Sequence, residues 1–454
     1  MSNRRIATML LTAAATALFL TEAAAAQTTS GDFSILSMNV AGLPEVLQNN
    51  DVTGDKTTNS ELIGKDFAEY DFDVIHVQED FNYHAYIYET DDHPHRTATS
   101  GGAGIGSGLN TLANFPWVDF TRIKWDICSN VDSDDCLTPK GFTFMRVEIA
   151  ASSDNSTAIY ADFYNLHADA GTTDDDETAR NSNIDQVLTY IDTWSVGNAV
   201  LIFGDTNSRY SRTNDTAIRT LLDSDFTDAW VKLERDGVVP TVESLCENPQ
   251  ASNNNTCETV DKVFYRSSPL LTLDATTFEY VGTWFLQPDG NVTTDHNPVN
   301  VNFTWTAGTS LRQSGYWGGP HGSWFSDVGT LSAIDSPTVS ELIFRGSERL
   351  DSVGVVLADG TNLTHGGTGG TEATLTLGDG EYWTAATLCE GQYNSETRNF
   401  YINATTSAGN TVSAGEATDD CANFNAPDGW AIVGFVGQDG DEVDQLAFVY
   451  GPQA

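Results

Sequence analysis

The chain reads as an α/β domain followed by an all-β module, and three observations carry that reading. Five consecutive apolar residues, Ala199 to Phe203, have the length of a strand buried on both faces, and the run stops abruptly at Gly204. Similar apolar runs recur through the first two thirds of the chain and alternate with polar stretches of helical period. After Thr306–Ser314, which contains Gly, Thr and Ser, the composition shifts to glycine-rich, short alternating segments such as LIFRGSERLDSVGVVLADG and ATLTLGDGEYWTAATL, with no helical period. A chain of 454 residues exceeds what one domain usually needs. The expected division is 27–305, a linker at 306–314, and 315–454.

Arg4 and Arg5 precede an apolar run from Ile6 to Leu20, and Ala24-Ala25-Ala26 precedes Gln27. Basic, apolar and small residues in that order predict a secretory signal peptide over residues 1–26; the run is too short for a membrane span. A secreted, extracellular product is expected. No later run approaches spanning length, so no transmembrane segment is expected. Sequons at Asn155, Asn214, Asn254, Asn291, Asn302, Asn362 and Asn403 fit a glycosylated product. Six cysteines fall in neighbouring couples, Cys128 with Cys136, Cys246 with Cys257 and Cys389 with Cys421, and export favours three disulfides closing those loops. No C-x-x-C spacing suggests zinc. The formal charge of −43 repels polyanions at long range and disfavours nonspecific nucleic-acid binding.

In order along the chain, FSILSMNV at 33–40 predicts a strand ending at Asn39, before Gly42 and Pro44. A helix is expected around Glu61–Tyr70, then a buried strand from Asp73 that ends in Glu79. The Gly101–Gly108 segment lacks dinucleotide-fingerprint spacing and reads as a loop before a Leu109–Phe115 strand. Strands follow at Phe142–Ile149, just after Lys140, and at Ala158–Leu166, just before His167. The acidic run Asp174–Glu177 suits a solvated helix start, with a calcium site as the less favoured alternative. The helix Ala179–Trp194 places Ile184, Val187, Leu188 and Ile191 on one face.

Asp205 and Asn207 then stand two residues apart at the end of the Ala199 strand, where open α/β sheets place ligands. Taken alone, the pair could equally cap a turn. Asp261 lies inside the strand Val260–Tyr265, and a carboxylate there is costly unless paired. Asp295 and His296 precede a last strand. Strand ends thus supply Asn39, Glu79, His167, Asp205, Asn207, Asp295 and His296, with Asp261 as a partner. Oxygen ligands with few nitrogens suit Mg²⁺ or Mn²⁺, which commonly act on phosphates.

The pieces SMNVAGLP, VIHVQED, SGLNTLANFP, NLHADAG, IFGDTNSR, VDKVFY and TDHNPV occur in an order that resembles the endonuclease/exonuclease/phosphatase superfamily, the deoxyribonuclease-I-like fold. The resemblance implies a four-layer α/β sandwich with two facing mixed sheets. Carried over residue by residue, it implies that Glu79 with Asn39 holds the metal, completed by Asp295. It further implies that Asp205 orients or deprotonates the attacking water, Asn207 steadies it, His296 oriented by Asp261 stabilises charge or protonates the leaving oxygen, and His167 contacts a phosphate oxygen.

The Cys-bounded loop before Lys140-Gly141-Phe142, with Arg180 and Gln186 on the following helix, resembles the secreted sphingomyelinase branch rather than nucleases. The expected substrate is therefore a phosphoester, with a phospholipid headgroup such as that of sphingomyelin preferred; nucleic acid is disfavoured by charge. The Tyr83–Tyr88 cluster is the aromatic candidate for membrane contact and is as readily core. An extracellular nuclease is the alternative enzyme, and a glycan-binding protein with an inactive hydrolase scaffold is the alternative class.

Residues 315–452 resemble the jacalin-like lectins through YWGGPHGSWFSD, HGGTGGTE, GEYW and AIVGFVGQDGDEVDQLAFVYG. The resemblance implies a β-prism of three four-stranded sheets. Its sugar site would combine Gly318 or Gly319 with the loop Gly440-Asp441-Glu442-Val443-Asp444, which here lacks an aromatic side chain. A carboxylate beside backbone donors suits sugar hydroxyls.

Overall fold

A computed structural model describes residues 28–44, 52–100, 106–131, 135–251 and 253–453. The expected signal peptide and most of the Gly101–Gly108 loop lie outside the described residues.

Two mixed sheets face each other. The first has six strands in the order Leu271–Tyr280, Val299–Ala307, Ser30–Asn39, Val74–Gln78, Asn110–Ala113, His95–Arg96. The second runs through Ala158–His167, Ala199–Asp205, Asp261–Arg266 and Thr227–Asp228, with Gly141–Ala151 and Trp117–Lys124 branching from its first strand. Both contain a parallel pair, Ser30–Asn39 with Val74–Gln78 and Ala158–His167 with Ala199–Asp205. The parallel strands are buried on both faces, which is why they read as continuous apolar runs.

Rings fill the space between the sheets. Phe33 stacks on Phe303, and Phe163 meets Phe33 and Phe203. His76 lies flat on Phe203 with centroids 3.7 Å apart, and burial pushes its pKa down to about 3, so it serves as a neutral aromatic. Asn165 ties the sheets together: its amide donates to the carbonyls of Val77 and Asn110 and its oxygen accepts from Gln78.

Helices form the outer layers. Lys56–Tyr70 packs Ile63 and Phe67 against Leu36, Met38, Ile75 and Val77. It begins five residues before the expected Glu61 because Asp55 caps it. Asp174–Trp194 starts at the acidic run, as that run's reading as a helix start expects. Thr173 and Asp176 form a reciprocal capping box there, which occupies Asp176 as a cap. Ile184, Val187 and Ile191 are buried as expected, with Leu188 half-buried at the margin.

The C-terminal part is a β-prism. One four-stranded sheet is built on Val339–Gly346 and Leu350–Leu357 and a second on Trp383–Tyr393 and Glu396–Thr406. The third is Ser323–Ser326, Trp430–Asp439, Val443–Pro452 and Trp317–Gly318. Trp383, Phe435 and Phe448 pack at its axis. A short helix, Val328–Ser332, interrupts the otherwise all-β pattern. The three expected disulfides are formed, Cys128–Cys136, Cys246–Cys257 and Cys389–Cys421.

The two parts share a sheet. Arg312–Gln313 pairs with Val443–Pro452 of the prism on one side and with Ala158 on the other. Beside this bridge, Arg146 is fully buried, bidentate to Asp162 at 2.8 and 2.9 Å, with Trp324 of the prism 3.6 Å away over its guanidinium. Trp324 donates to the Val196 carbonyl, Gln438 to Asp119, and Tyr450 to the Ser156 carbonyl. Asn155, one of the sequons, packs at this junction, where a Cβ on Gly315 would lie 1.7 Å from its Oδ1. Arg146→Ala strands the buried Asp162 charge and is expected to cost roughly 3–5 kcal/mol. Calorimetry should show one transition for both parts in the wild type, and a lowered one in the variant.

Candidate active site

The strand ends converge at one mouth, because pairing sets them side by side. Asp205 is the register partner of His167 on one neighbour and of Asp261 on the other. Asn39 ends the first-sheet strand Ser30–Asn39, and its Nδ2 reaches Asp205 Oδ2 and Glu79 Oε1, both at 3.2 Å. Thr294 Oγ1 donates to the Asn39 carbonyl at 2.6 Å and ties the Thr294–Asn297 turn to that strand end.

Backbone at the mouth is unusual. Ala41, Glu79 and Asn207 have φ of 51°, 56° and 50°, in the left-handed region that costs a non-glycine residue energy. A Cβ on Gly42 would lie 2.4 Å from the Glu79 carbonyl, so only glycine lets the two turns approach. Gly42→Ala should displace Glu79. A divalent cation held by Glu79 would then bind about tenfold more weakly, with calorimetric titration as the check.

Asp205 is buried, and burial raises its carboxyl above the ordinary carboxylate value against the opposing pull of His296. Its Oδ1 accepts the Asn207 amide at 2.9 Å. Asn207 Nδ2 donates to the Ala168 carbonyl, fixing that side chain beside the His167 strand. His296 Nδ1 lies 2.9 Å from Asp261 Oδ2, and its Nε2 lies 3.8 Å from Asp205 Oδ2. Burial opposes charge on His296, but the Asp261 and Asp205 carboxylates outweigh it and hold its pKa well above the usual value. The opposite holds at His167: burial, with Lys140 and His296 nearby, keeps that ring neutral. His167 Nε2 is 3.4 Å from Asp205 Oδ2.

Asp205, Asp261 and His296 present ligand atoms within 4.8 Å of one another. Asn39 and Glu79 touch at the adjoining edge. Asp295 stands exposed in the turn and acts on His296 through its charge. Arg180 and Gln186 anchor loops: Arg180 donates to the Asp169 and Gly171 carbonyls, and Gln186 holds the Asp126 amide and the Lys124 carbonyl. Tyr83 and Tyr88 are half-buried and Tyr86 is exposed.

Two groups, Asp135 and Asp169, escaped the sequence reading. Lys140 is nearly buried and ion-paired with Asp135, which also accepts the Ala170 amide. Asp169, two residues after His167, has its carboxyl pushed up to about 7 by burial and accepts the Ser129 amide. Its place inside NLHADAG was the available signal; its burial depends on the Cys128–Cys136 loop folding over it.

In the prism, Gly318 has φ 90° and the Gly319 amide donates to the Asp444 carbonyl at 3.1 Å, so both glycines meet the Asp444 loop. Within that loop the Gly440 amide donates to the Glu442 carbonyl, and Asp441 is exposed. The carboxylates are committed within the chain: Asp444 pairs with Arg398 at 2.6 Å, and Glu442 takes Arg349 through both oxygens. Tyr393, on the hairpin of another sheet, brings a half-exposed ring against Arg349 at 3.9 Å. An aromatic absent from the loop thus arrives from elsewhere. Trp317 Nε1 and Asn399 Oδ1 lie buried there without a hydrogen-bond partner.

Residues 41–302 match the family model of Endonuclease/Exonuclease/phosphatase family 2. The chain belongs to this family. Residues 314–449 match the jacalin-like lectin domain. Proteins named sphingomyelinase from Mycobacterium bovis and Mycobacterium tuberculosis are 33% identical over 287 residues, 62% of this chain and 54% of the relative. The chain thus spans about half the length of these curated relatives. Among solved structures, beta toxin from Staphylococcus aureus is 16% identical with TM-score 0.41, covering 59% of this chain and 99% of that chain. A mannose binding jacalin related lectin from Ananas comosus is 22% identical with TM-score 0.27, covering 31% of this chain and 98% of that chain. The fold is the deoxyribonuclease-I-like sandwich of the family followed by a jacalin-like β-prism. Among the described residues no helix is long and apolar enough to cross a membrane.

Proposed function

We propose that the chain is an exported, divalent-metal-dependent phosphodiesterase that cleaves phospholipid headgroups such as that of sphingomyelin. The observation that carries this reading is the set of buried Asp205 and Asp261 with half-buried His296 at converging strand ends. Asp205, whose basicity burial increases, receives the proton of the attacking water, while Asn207 steadies that water. Charged His296, its Nδ1 held by Asp261, directs Nε2 at the phosphoryl or leaving oxygen, where negative charge develops. Neutral His167 contributes a hydrogen bond to a phosphate oxygen without adding charge.

The donor set fits a hard divalent cation, because Glu79 and Asp205 converge on one Asn39 carboxamide, an acidic oxygen cluster suited to Mg²⁺ or Mn²⁺. Glu79 and Asn39 would hold it, with Asp295 in the surrounding shell. When bound, it supplies Lewis-acid stabilisation of the developing charge. The prism would bind glycans between Gly318, Gly319 and Asp444, with the sugar competing against Arg398 for the carboxylate.

The test is hydrolysis of sphingomyelin, lysophospholipid and plasmid DNA side by side, with Mg²⁺ and with chelator. Chelator-sensitive release of a phosphorylated headgroup is expected. Cleavage of DNA alone would replace the lipid reading with a nuclease, and inactivity on all three would leave a glycan-binding protein on an inert scaffold.

A further inference from the structure

Cations are scarce in this chain, 21 Lys and Arg against 64 Asp and Glu, so two neighbouring guanidiniums in one turn need a reason. Arg209 and Arg212 both lie in the turn that follows Asn207. Arg212 Nη1 donates to the Asn207 carbonyl at 2.7 Å and lies 3.4 Å from Asp215 Oδ2. Burial and the nearby charge of Arg209 lower the pKa of Arg212, against the pull of Asp215. The two positive groups are crowded together.

The chain does not neutralise this pair. Asp215 is buried, but its oxygens also accept the Ser208 hydroxyl and the Arg209 backbone amide, and they face the Arg180 guanidinium at 3.4 and 3.5 Å. Glu243 Oε2 is 3.9 Å from Arg209 Nη1, with 57% of the Glu243 side chain exposed. Three guanidiniums thus share one buried and one exposed carboxylate. Among the described residues the Arg209 side chain donates no hydrogen bond, although only 24% of it is exposed and its Nε is buried. A guanidinium carries five donors, and leaving them unmet away from water is costly unless a ligand meets them.

The surroundings hold this turn at the flank of the mouth. Glu258 accepts the Tyr210 and Ser211 amides and donates its own amide to the Ser244 carbonyl, so the turn and the Glu243 segment are fixed to one residue. A little further on, Asn248 Nδ2 donates to the Thr294 carbonyl, beside His296.

We infer that Arg209 and Arg212 form a second anion site, beside the catalytic one, that takes a phosphate group: a second phosphate carried by the substrate beyond the scissile ester, or free inorganic phosphate. A tetrahedral phosphate has oxygens enough for two guanidinium forks, whereas a carboxylate has two in all. The inference rests on the phosphodiesterase reading for what the neighbouring site does, not for its binding test.

Full-length protein freed of metal by dialysis is titrated calorimetrically with inorganic phosphate. The wild type should bind with a dissociation constant of about a millimolar or tighter, and Arg209→Gln should weaken binding about tenfold. Glu243→Gln, which removes the loose partner of Arg209 from an exposed position, should tighten binding about two- to threefold. His296→Ala should leave it unchanged, because His296 belongs to the mouth. A wild type that binds no phosphate, or Arg209→Gln and Glu243→Gln both binding as the wild type does, would overturn the inference. So would loss of binding in His296→Ala with retention in Arg209→Gln, which would put the phosphate in the mouth.

The source of the phosphate is read from two soluble chromogenic phosphodiesters, one carrying a second phosphate on the arm away from the chromogen and one without it. A higher kcat/KM for the first that Arg209→Gln removes assigns the site to the substrate; equal values assign it to free phosphate. Failure of the wild type to cleave either ester would count against the phosphodiesterase reading, with the phosphate titration standing on its own.

Discussion

Asp205→Asn is expected to lower kcat by about three orders of magnitude while leaving the fold intact. The substitution keeps an oxygen for the Asn207 amide at 2.9 Å and keeps the volume at the end of the Ala199–Asp205 strand. On the proposed mechanism it removes the group that receives the water's proton. It also removes a buried anion that lies beside Asp261 and Glu79, so the melting temperature should hold or rise. Steady-state turnover and thermal unfolding, measured together, separate this from misfolding. Turnover near the wild-type value would remove Asp205 from the chemistry.

Asp261→Asn should lower kcat by about two to three orders of magnitude and, more diagnostically, move the pH profile. His296 is held charged by Asp261 and Asp205, with its pKa well above the usual value. The proposed active form carries that proton, so activity in the wild type should persist through neutral pH and fall as pH rises through the elevated pKa of His296. Without the Asp261 carboxylate the main opposing force to desolvation is gone, the pKa drops, and the basic limb moves to lower pH. A profile that keeps its basic limb in place would mean that some other group sets it. His296→Ala should abolish the limb together with most of the activity.

Much of this architecture is legible in the sequence because burial is written into it. The Ala199–Asp205 strand is apolar up to Gly204, and the strands paired in parallel are buried along most of their length, so the polar residues at their ends, Asn39, Glu79, His167 and Asp205, mark the rim where open α/β sheets place ligands. Helix starts were legible only where charge marked them: the acidic run at Asp174 gave the start of the helix to Trp194, whereas the polar first turn of Lys56–Tyr70, capped by Asp55, carries no apolar residue to announce it.

What depended on distant pairing was not legible. Burial of Asp169 and the Lys140–Asp135 pair require the disulfide loop to close over the site. The commitment of Asp444 to Arg398, and the arrival of Tyr393 from a hairpin in a different sheet, follow from prism closure. The merging of the two parts through Arg312–Gln313 and the Arg146–Trp324 contact has no local signature, because each residue taken alone suits an ordinary strand.

The most direct measurement of the central claim is sphingomyelin hydrolysis with Mg²⁺ in water enriched in heavy oxygen, followed by mass spectrometry of both products. Attack on phosphorus by the water that Asp205 activates predicts one heavy oxygen in the released phosphorylated headgroup and none in the lipid alcohol, with no product when chelator is present. Label in the lipid alcohol, or cleavage that persists undiminished in chelator, would contradict the account.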